Sequence, residues 1–282
     1  VSVTATFSET VNVDNSCGNP TLTLVVGSNN RSATYASGTG SDDLVFRYTI
    51  QSGDNDTNGI SIGANALALN SGTISDPAGN NSTLTHSLVD NNSSYKVDTM
   101  APSVDNFTMD DTEFKIGDNA TVTLVFSEKV IQFSSAADIT APNGTLSTMT
   151  SSDNITWRGT FTPTDNIEDA SNTLSLANNS YTDLAGNNGP DNQTANYEVD
   201  TREPTVSSVA ITSATGKQNN FVNAGDNVSV TATFSEVVNV DNSSGNPTLT
   251  IVVGSDNLTA TYISGCLLYT SHAADDTPCV DI

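Results

Sequence analysis

Basic residues are scarce in this sequence: 8 lysines and arginines stand against 32 aspartates and glutamates, giving a formal net charge of -24. Nucleic acids and anionic membrane surfaces are bound through basic side chains, so the composition excludes both as partners. The charge favours solubility or a divalent cation as partner. The sequence also lacks an apolar run of about 18 residues, so we expect no membrane insertion.

Cysteine and histidine are rare too, with 3 and 2 residues respectively. No Cys/His cluster is present and no Ser-His-Asp arrangement recurs, so we do not expect an enzyme. Cys17 becomes Ser244 in a second copy of the surrounding sequence, which argues against a disulfide, metal ligand or nucleophile there. His86 stands alone in an alternating strand, where we expect a structural or surface role.

Helical periodicity is absent, and alternation of apolar and polar residues with a period of two takes its place. Leu44, Phe46, Tyr48 and Ile50, for example, fall on one face of a single run. About seven short strands per 100 residues, separated by Gly, Asn, Asp and Ser clusters, predict an all-β, immunoglobulin-like sandwich. The Cys…Trp…Cys arrangement of antibody domains is missing, so packing alone has to hold the core.

A repeated motif divides the chain. Residues 97–104 (VDTMAPSV) return 102 residues later as residues 199–206 (VDTREPTV), which gives the pattern V-D-T-x-x-P-x-V. The proline fixes φ, removes a backbone donor and keeps its predecessor extended. The motif therefore predicts a short, semi-rigid linker between two folded repeats.

A longer match shows how the repeats are ordered. Residues 228–265 align without a gap with residues 1–38 and differ at 7 of 38 positions, which leaves 31 identical. We predict repeat 1 (1–100), a divergent repeat 2 (101–202) and a truncated repeat 3 (203–265), as part of a longer array. Repeat 1 is expected to be a fragment without its first strand, because the sequence opens at Val1 in mid-pattern; the missing strand corresponds to Pro204–Asn227 of repeat 3.

The copy stops abruptly after Gly265. Over the last 17 residues only Asp281 matches its counterpart in repeat 1, Asp54. Residues 266–271 (CLLYTS) resemble the translated end of a transposon-based sequencing adapter. We therefore interpret residues 266–282 as a non-native tail with no stable place in the sandwich.

Three motifs recur in the same order at the spacing of a domain: G-D-N-x-x-V/T-x-x-x-F-S-E, D-x-A-G-N and V-D-T-x-x-P. Together they resemble the bacterial immunoglobulin-like repeats of large biofilm-associated and RTX-type surface adhesins, over residues 1–265. The resemblance implies an extracellular rod of tandem sandwiches on the bacterial cell surface, commonly stiffened by calcium between repeats. Such rods support cell adhesion or biofilm formation, with neighbouring repeats as partners and an unknown surface ligand bound by a domain outside this sequence.

The acidic residues of these motifs are candidate calcium ligands, because calcium is bound by oxygens of carboxylates, backbone carbonyls and Asn side chains. We expect Asp98 and Asp200, with Asp76 and Asp183 beside them, to share calcium with Asp118 and Asp226 of the following repeat. Glu9, Glu128 and Glu236 each end an apolar strand face, so each lies at the rim of the sandwich or has a cation. The alternative is that Asp and Asn occur here because they favour turns.

Residues 54–60 (DNDTNGI) resemble the first half of an EF-hand loop, with Asp54, Asp56 and Asn58 as candidate calcium ligands. The twelfth position is Asn65 instead of Glu and no helix flanks the segment. A true EF-hand is therefore ruled out, which leaves a hairpin loop that binds calcium weakly.

Two other function classes stay open beside the adhesin stalk. A carbohydrate- or protein-binding module would show an exposed aromatic platform, whereas most of the few aromatic residues here occupy core-facing strand positions. Spacer domains of a secreted multidomain hydrolase would look the same in these residues, since the catalytic domain would lie outside the sequence.

Overall fold

The computed structural model describes residues 1–265 and 280–281. Apart from the single helical turn α1 (Ser135–Asp138), the regular elements of this part of the chain are strands, which confirms the predicted all-β sandwich fold. The residues form two compact bodies: an N-terminal body of Val1–Thr164 and Asp169–Val199, and a C-terminal body of Asp165–Glu168 with the described residues from Asp200 onward. Repeat 1 and most of repeat 2 lie in the N-terminal body. Within the described residues no helix has the length and hydropathy needed to cross a bilayer.

Repeat 1 is built around a six-stranded sheet in the order β6-β2-β3-β4-β1-β7, and β5 pairs separately with β8. Its strands are β1 (Ser2–Asp14), β2 (Thr21–Val26), β3 (Asn29–Ser37), β4 (Ser41–Arg47), β5 (Asn55–Asp56), β6 (Leu67–Ala68), β7 (Thr73–Ser75) and β8 (Val97–Asp98). The predicted shared face of Leu44, Phe46, Tyr48 and Ile50 is confirmed as the inner face, because Leu44 and Phe46 are completely buried. Tyr48 and Ile50 pack against the same core from its edge.

Repeat 2 contains a four-stranded sheet in the order β14-β15-β11-β9 and a three-stranded sheet in the order β10-β20-β16. Smaller ladders join β12 to β18 and order β13-β17-β19. The strands are β9 (Val104–Met109), β10 (Glu113–Phe114), β11 (Ala120–Phe126), β12 (Val130–Ile131), β13 (Ile139–Thr140), β14 (Gly144–Leu146), β15 (Thr156–Pro163), β16 (Glu168–Asn172), β17 (Ser175–Leu176), β18 (Thr182–Asp183), β19 (Asn192–Gln193) and β20 (Tyr197–Asp200).

Aromatic packing holds the core of repeat 2. Phe114, Phe161 and Tyr197 form one cluster with ring centroids 5.0 to 5.9 Å apart. Phe126 packs against Tyr181 at 4.6 Å. Such tilted and edge-on contacts add to the stabilisation from apolar burial.

Repeat 3 pairs β21 with β22 and forms a hairpin from β23 and β24. Its strands are β21 (Val206–Ala214), β22 (Val228–Phe234), β23 (Thr248–Val253), β24 (Asp256–Thr261), β25 (Ser264–Gly265) and β26 (Val280–Asp281). The predicted tail, residues 266–282, lies outside the described residues except for Val280 and Asp281, whose backbone pairs with β22 and β25.

Candidate metal centre at the junction of repeats 1 and 2

The F-S-E motif places Glu128 at the end of β11. Alternation along this strand buries Val122, Leu124 and Phe126, as predicted, and Glu128 continues the same register. It is half-buried. A carboxylate therefore stands at the rim of an apolar face, where a buried charge is costly without a partner.

The D-x-A-G-N loop places Asp183 beside this rim. β18 pairs antiparallel with β12, Asp183 opposite Val130, and β12 begins two residues after Glu128. The Asp183 side chain is completely buried. Its Oδ1 accepts the N–H groups of Ala185 (2.8 Å) and Asn187 (2.9 Å), and its Oδ2 accepts Asn187 Nδ2 (2.7 Å). Gly186 permits this tight turn with φ of 92°.

The third carboxylate, Asp98, comes from the end of repeat 1. It ends β8, which pairs with β5, and its Oδ1 accepts the N–H of Met100 at 3.0 Å. Asn187 of the D-x-A-G-N loop donates from Nδ2 to the backbone carbonyl of Asp98 at 3.2 Å. The Asn187 amide thus joins the last strand of repeat 1 to the loop that holds Asp183.

Asp98, Glu128 and Asp183 each offer a carboxylate oxygen, and these oxygens lie within 4.8 Å of one another. Neither ion pair found among the described residues involves them. Burial, and then the charges of Asp98 and Asp183, raise the pKa of Glu128. The donor set consists of oxygens alone and carries uncompensated negative charge, which fits a hard divalent cation such as calcium. Asp98, Glu128 and Asp183 would hold the ion, which would supply the positive charge that the cluster lacks.

The linker between repeats 1 and 2 is fastened at both ends. Thr99 Oγ1 accepts the N–H of Gly53 and donates to the carbonyl of Asp54, both at 2.9 Å. Ser103 and Ser127 are joined twice, because Ser127 Oγ accepts the N–H of Ser103 and the Ser103 carbonyl accepts the N–H of Ser127, again at 2.9 Å. Sequence reasoning did not assign these roles, although the recurrence of both residue types, as Thr201 and Ser235, was a usable signal.

The C-terminal body contains the equivalent hydrogen bonds. The N–H of Ile167 donates to Thr201 Oγ1 at 3.0 Å, and the N–H of Thr205 donates to Ser235 Oγ at 2.9 Å. Glu236, the counterpart of Glu128, has a buried Oε1 that accepts no hydrogen bond from the described residues. Asp200 Oδ1 accepts the N–H of Arg202 at 3.3 Å, as Asp98 does from Met100. No described group of three metal-ligating side chains includes Asp200.

Repeat 1 carries the same partial site. Asp76 Oδ1 accepts the N–H groups of Ala78 and Asn80, and Asp76 Oδ2 accepts Asn80 Nδ2. These bonds, the Asn80 side chain first, lower the pKa of Asp76. Glu9 and Asp76 line one groove, but no third described carboxylate joins them.

The expected grouping of the junction aspartates needs a correction. Asp98 meets Glu128 and Asp183, not Asp76 and Asp118, because Asp118 precedes β11 whereas Glu128 follows it. A strand of 7 residues, about 20 Å long, separates them. Asp118 and Asp226 instead serve turns, as the alternative reading predicted: Oδ2 of each accepts a backbone N–H three residues earlier, at 3.1 and 2.6 Å.

The EF-hand-like segment is held together by hydrogen bonds within the protein. The Asp54 carboxylate already accepts Arg31 Nε (2.7 Å), Tyr48 OH (2.7 Å) and the N–H of Gln51 (2.9 Å). Asp56 accepts three backbone N–H groups, including that of Gly27 at 2.8 Å, and the Asn58 side chain is exposed. Both carboxylates are buried and accept hydrogen bonds from protein donors, and no described group of three metal-ligating side chains includes either of them. Calcium binding by this segment stays a prediction, and the loop accepts the hydrogen bond of Thr99.

The comparisons with known proteins identify one stretch of the chain. Neither a search of curated proteins nor a search of solved structures gives a match to this chain. Residues 98–199 match the family model of a bacterial Ig-like domain, and this stretch runs from Asp98 through Glu128 and Asp183 to Val199. Repeat 2 is thus similar to the bacterial Ig-like domains.

Proposed function

We propose that this chain is a spacer of tandem immunoglobulin-like sandwiches, locked by calcium at the junction of repeats 1 and 2. The observation that carries the proposal is the cluster of Asp98, Glu128 and Asp183. Asp98 belongs to the last strand of repeat 1, and the other two residues belong to repeat 2. A cation bound to all three would tie two successive sandwiches together.

The physical argument rests on charge. Without a cation, three carboxylates repel one another at short range, where salt screening with a length of about 8 Å is weak. With calcium bound, the same oxygens become ligands and the repulsion becomes attraction. The short linker also limits how far the two repeats can separate. Only Met100, Ala101 and Pro102 lie between the hydrogen-bonded residues Thr99 and Ser103.

The setting that we propose is the bacterial cell surface, in a large adhesin that serves cell adhesion or biofilm formation. The match of repeat 2 to bacterial Ig-like domains, which are often extracellular structural modules, supports this. Calcium sites of extracellular modules have dissociation constants of about 0.1 to 1 mM, so a small ligand set of three carboxylates would be filled outside the cell.

Calcium titration by calorimetry tests the metal site. We expect Glu128→Gln to weaken the tightest calcium site at least about tenfold, because one of three charged ligands is lost. Glu9→Gln is the matched control, since Glu9 ends the same motif but has no third carboxylate beside it. Equal calcium binding by the wild type and Glu128→Gln would contradict the proposal.

We further propose that residues 1–265 carry no catalytic activity and act by holding neighbouring domains apart. The two large aromatic residues among the exposed hydrophobics of the described chain, Tyr95 and Phe221, lie in different repeats, which disfavours an aromatic binding platform. Hydrolase activity that maps to these residues and disappears with a single substitution would overturn this assignment.

A further inference from the structure

The backbone of Asp98 is held by one neighbouring segment of repeat 1, residues 53–56, which include β5. β8 pairs antiparallel with β5, and Asn55 lies opposite Asp98. The residue that follows this ladder, Thr99, forms two hydrogen bonds to the residues just before β5. This segment, the anchoring loop, therefore contacts both Asp98 and the residue after it.

The hydroxyl of Thr99 acts as acceptor and donor at once. Its Oγ1 accepts the N–H of Gly53 and donates to the carbonyl of Asp54, both at 2.9 Å. Two such bonds fix the rotation of the hydroxyl and hold the side chain against the loop. Because Thr99 directly follows Asp98, they also restrict the direction in which the chain leaves β8.

The anchoring loop is itself tied to the core of repeat 1. Asp54 and Asp56 are 1% and 3% exposed. The Asp54 carboxylate accepts a hydrogen bond from the Arg31 guanidinium at 2.7 Å, and Asp56 Oδ2 accepts the N–H of Gly27 at 2.8 Å. Moving the loop would leave two buried charges without these partners, which is costly.

The turn between β2 and β3 approaches the anchoring loop closely. Gly27 has φ of 60°, and a Cβ at this position would lie 2.2 Å from the carbonyl oxygen of Asn55. Glycine permits both the backbone conformation and the approach. Val26, which ends β2, is completely buried. A continuous chain of contacts thus runs from the core strand β2 through Gly27 and the anchoring loop to Asp98.

The second V-D-T motif makes similar hydrogen bonds with a differently built loop. Thr201 Oγ1 accepts the N–H of Ile167 at 3.0 Å and donates to the carbonyl of the same residue at 3.3 Å. The acidic side chains of that loop, Asp165 and Glu168, are exposed. Buried, hydrogen-bonded carboxylates therefore distinguish the loop next to the three-carboxylate cluster from the loop that contacts Thr201.

We propose that Thr99 is a positioning residue for calcium: with the anchoring loop, it holds Asp98 where its carboxylate meets those of Glu128 and Asp183. This role of Thr99 rests on the proposed calcium function and deepens it. Without the constraint, repulsion among the three carboxylates would turn Asp98 away from the other two. A ligand that is held in place beforehand lowers the cost of binding, and calcium affinity depends on the rigidity of a site as well as on its charge.

This arrangement links calcium binding to the folding of repeat 1. Arg31 belongs to β3 and Gly27 to the turn before it, so the anchoring loop reaches its place only when this hairpin has formed. Because coupling between two equilibria is reciprocal, calcium bound by Asp98 should in turn hold the loop closed. We expect the amide of Gly53 to exchange at least about fivefold more slowly with saturating calcium, and Glu128→Gln to lose this protection.

Calorimetric titration of the full chain with calcium tests the role of Thr99. Thr99→Val keeps the shape of the side chain but loses both hydrogen bonds, and it should weaken the site that Glu128→Gln disrupts by about tenfold. Thr99→Ser keeps the hydroxyl and should restore the affinity of the wild type. Thr201→Val is the matched control, since it makes the same change beside a loop without buried carboxylates, and it should leave that site unchanged.

Hydrogen exchange in chelator gives a readout without the ion. The amide of Gly53 should exchange at least about tenfold faster in Thr99→Val than in the wild type, and an unchanged rate would overturn the proposal. A purely structural role would lower the unfolding midpoint of Thr99→Val but leave its calcium affinity unchanged. That result, with binding still weakened in Glu128→Gln, would overturn the positioning role alone. An equal loss of affinity in Thr201→Val would also overturn it, whereas a wild-type chain that binds no calcium would overturn the proposed function itself.

Discussion

Glu128 stands where burial and two neighbouring carboxylates act on one ionisable group. All three influences raise its pKa above the ordinary value of 4.5. Between 4.5 and the raised value, the folded state binds more protons than the unfolded state, so the free energy of unfolding falls as the pH rises through this window. At neutral pH the full electrostatic cost of the ionised carboxylate is present unless a cation offsets it.

We therefore expect Glu128→Gln to stabilise the chain in chelator at pH 7. Relief of about 0.5 kcal/mol of partly screened repulsion corresponds to about 2–4 °C in the midpoint of a domain of this size. The same variant should lose most of the rise in midpoint that calcium gives the wild type. Differential scanning calorimetry of both proteins, with and without calcium, measures this, and a lower midpoint in chelator would contradict the role of Glu128.

Arg31 offers a second residue-level comparison because repeat 3 has Leu258 in its place. Arg31 Nε lies 2.7 Å from Asp54 Oδ1, and the Asp54 side chain is completely buried. Burial alone would raise the pKa of Asp54, but the hydrogen bonds from Gln51, Tyr48 and Arg31 outweigh it and hold the pKa below 3.8. The stabilisation from Asp54 is thus present above pH 3.8 and lost as the pH falls through the lowered pKa.

Arg31→Leu should destabilise repeat 1 by about 2 kcal/mol, because a hydrogen bond to a buried carboxylate is lost. Leu258→Arg is the matched control and should change little, since Leu258 is 52% exposed. Denaturant unfolding at pH 7, monitored by hydrogen exchange of the amides in β3 and β24, measures the change in unfolding free energy caused by each of the two substitutions. Equal effects of the two substitutions on the unfolding free energy would contradict a structural role of the Arg31–Asp54 pair.

The candidate site was partly predictable from these residues. Asp98, Glu128 and Asp183 were singled out because each is a carboxylate that recurs at repeat spacing. Their partners were not predictable, because pairing depends on which end of the sandwich a turn occupies, and that follows from strand direction and register. Asp54 gives a second example: its D-x-D-x-N-G spacing is typical of calcium loops, but the spacing does not reveal that its carboxylate accepts a hydrogen bond from Arg31, 23 positions away.

At the scale of elements, β2 and β23 have nearly the same sequence in different surroundings. They read TLTLVV and TLTIVV, and both form hairpins in the same register with β3 and β24. Val26 is completely buried, whereas Val253 is 57% exposed. The side chains that cover β2, such as Phe46 and Ile74, come from beyond the 38 matching positions. Local pattern therefore predicts the strand, while burial depends on the rest of the repeat.

Leu24→Ala and Ile251→Ala make this difference measurable. The first removes a completely buried side chain and should cost about 3 kcal/mol. The second removes a partly exposed one and should cost less than about 1 kcal/mol. Native-state hydrogen exchange in β3 and β24 measures each hairpin separately. Comparable losses would mean that repeat 3 has a core as complete as that of repeat 1.

At the scale of the whole molecule, calcium should change how firmly repeats 1 and 2 are joined without unfolding either sandwich. Repeats 1 and 2 each have an apolar core, and the carboxylate cluster lies at the rim of the core of repeat 2. Chelation should therefore widen the range of distances between the two repeats while circular dichroism stays constant.

Pulsed electron spin resonance between labels on the exposed Cys17 and on Ser152→Cys, with Cys266 and Cys279 changed to serine, measures this range. Calcium should narrow the distribution in the wild type. Asp98→Ala should keep it wide in both conditions, whereas Asp118→Ala, at the other end of β11, should behave like the wild type. A distribution that does not respond to chelator would leave the junction as a proline linker held by its hydrogen bonds.

The fastened linker has a mechanical consequence. Fully extended, the chain from Thr99 to Ser103 spans no more than about 14 Å, so the linker between repeats 1 and 2 is short. Tension along the chain would pass directly from β8 into β9, and the bonds of Thr99 and Ser103 would bear force before either sandwich deforms. Those bonds sit beside the carboxylate cluster, so an ion bound there would resist the same pull. The force that the junction withstands before it opens would then depend on the calcium concentration of the surroundings.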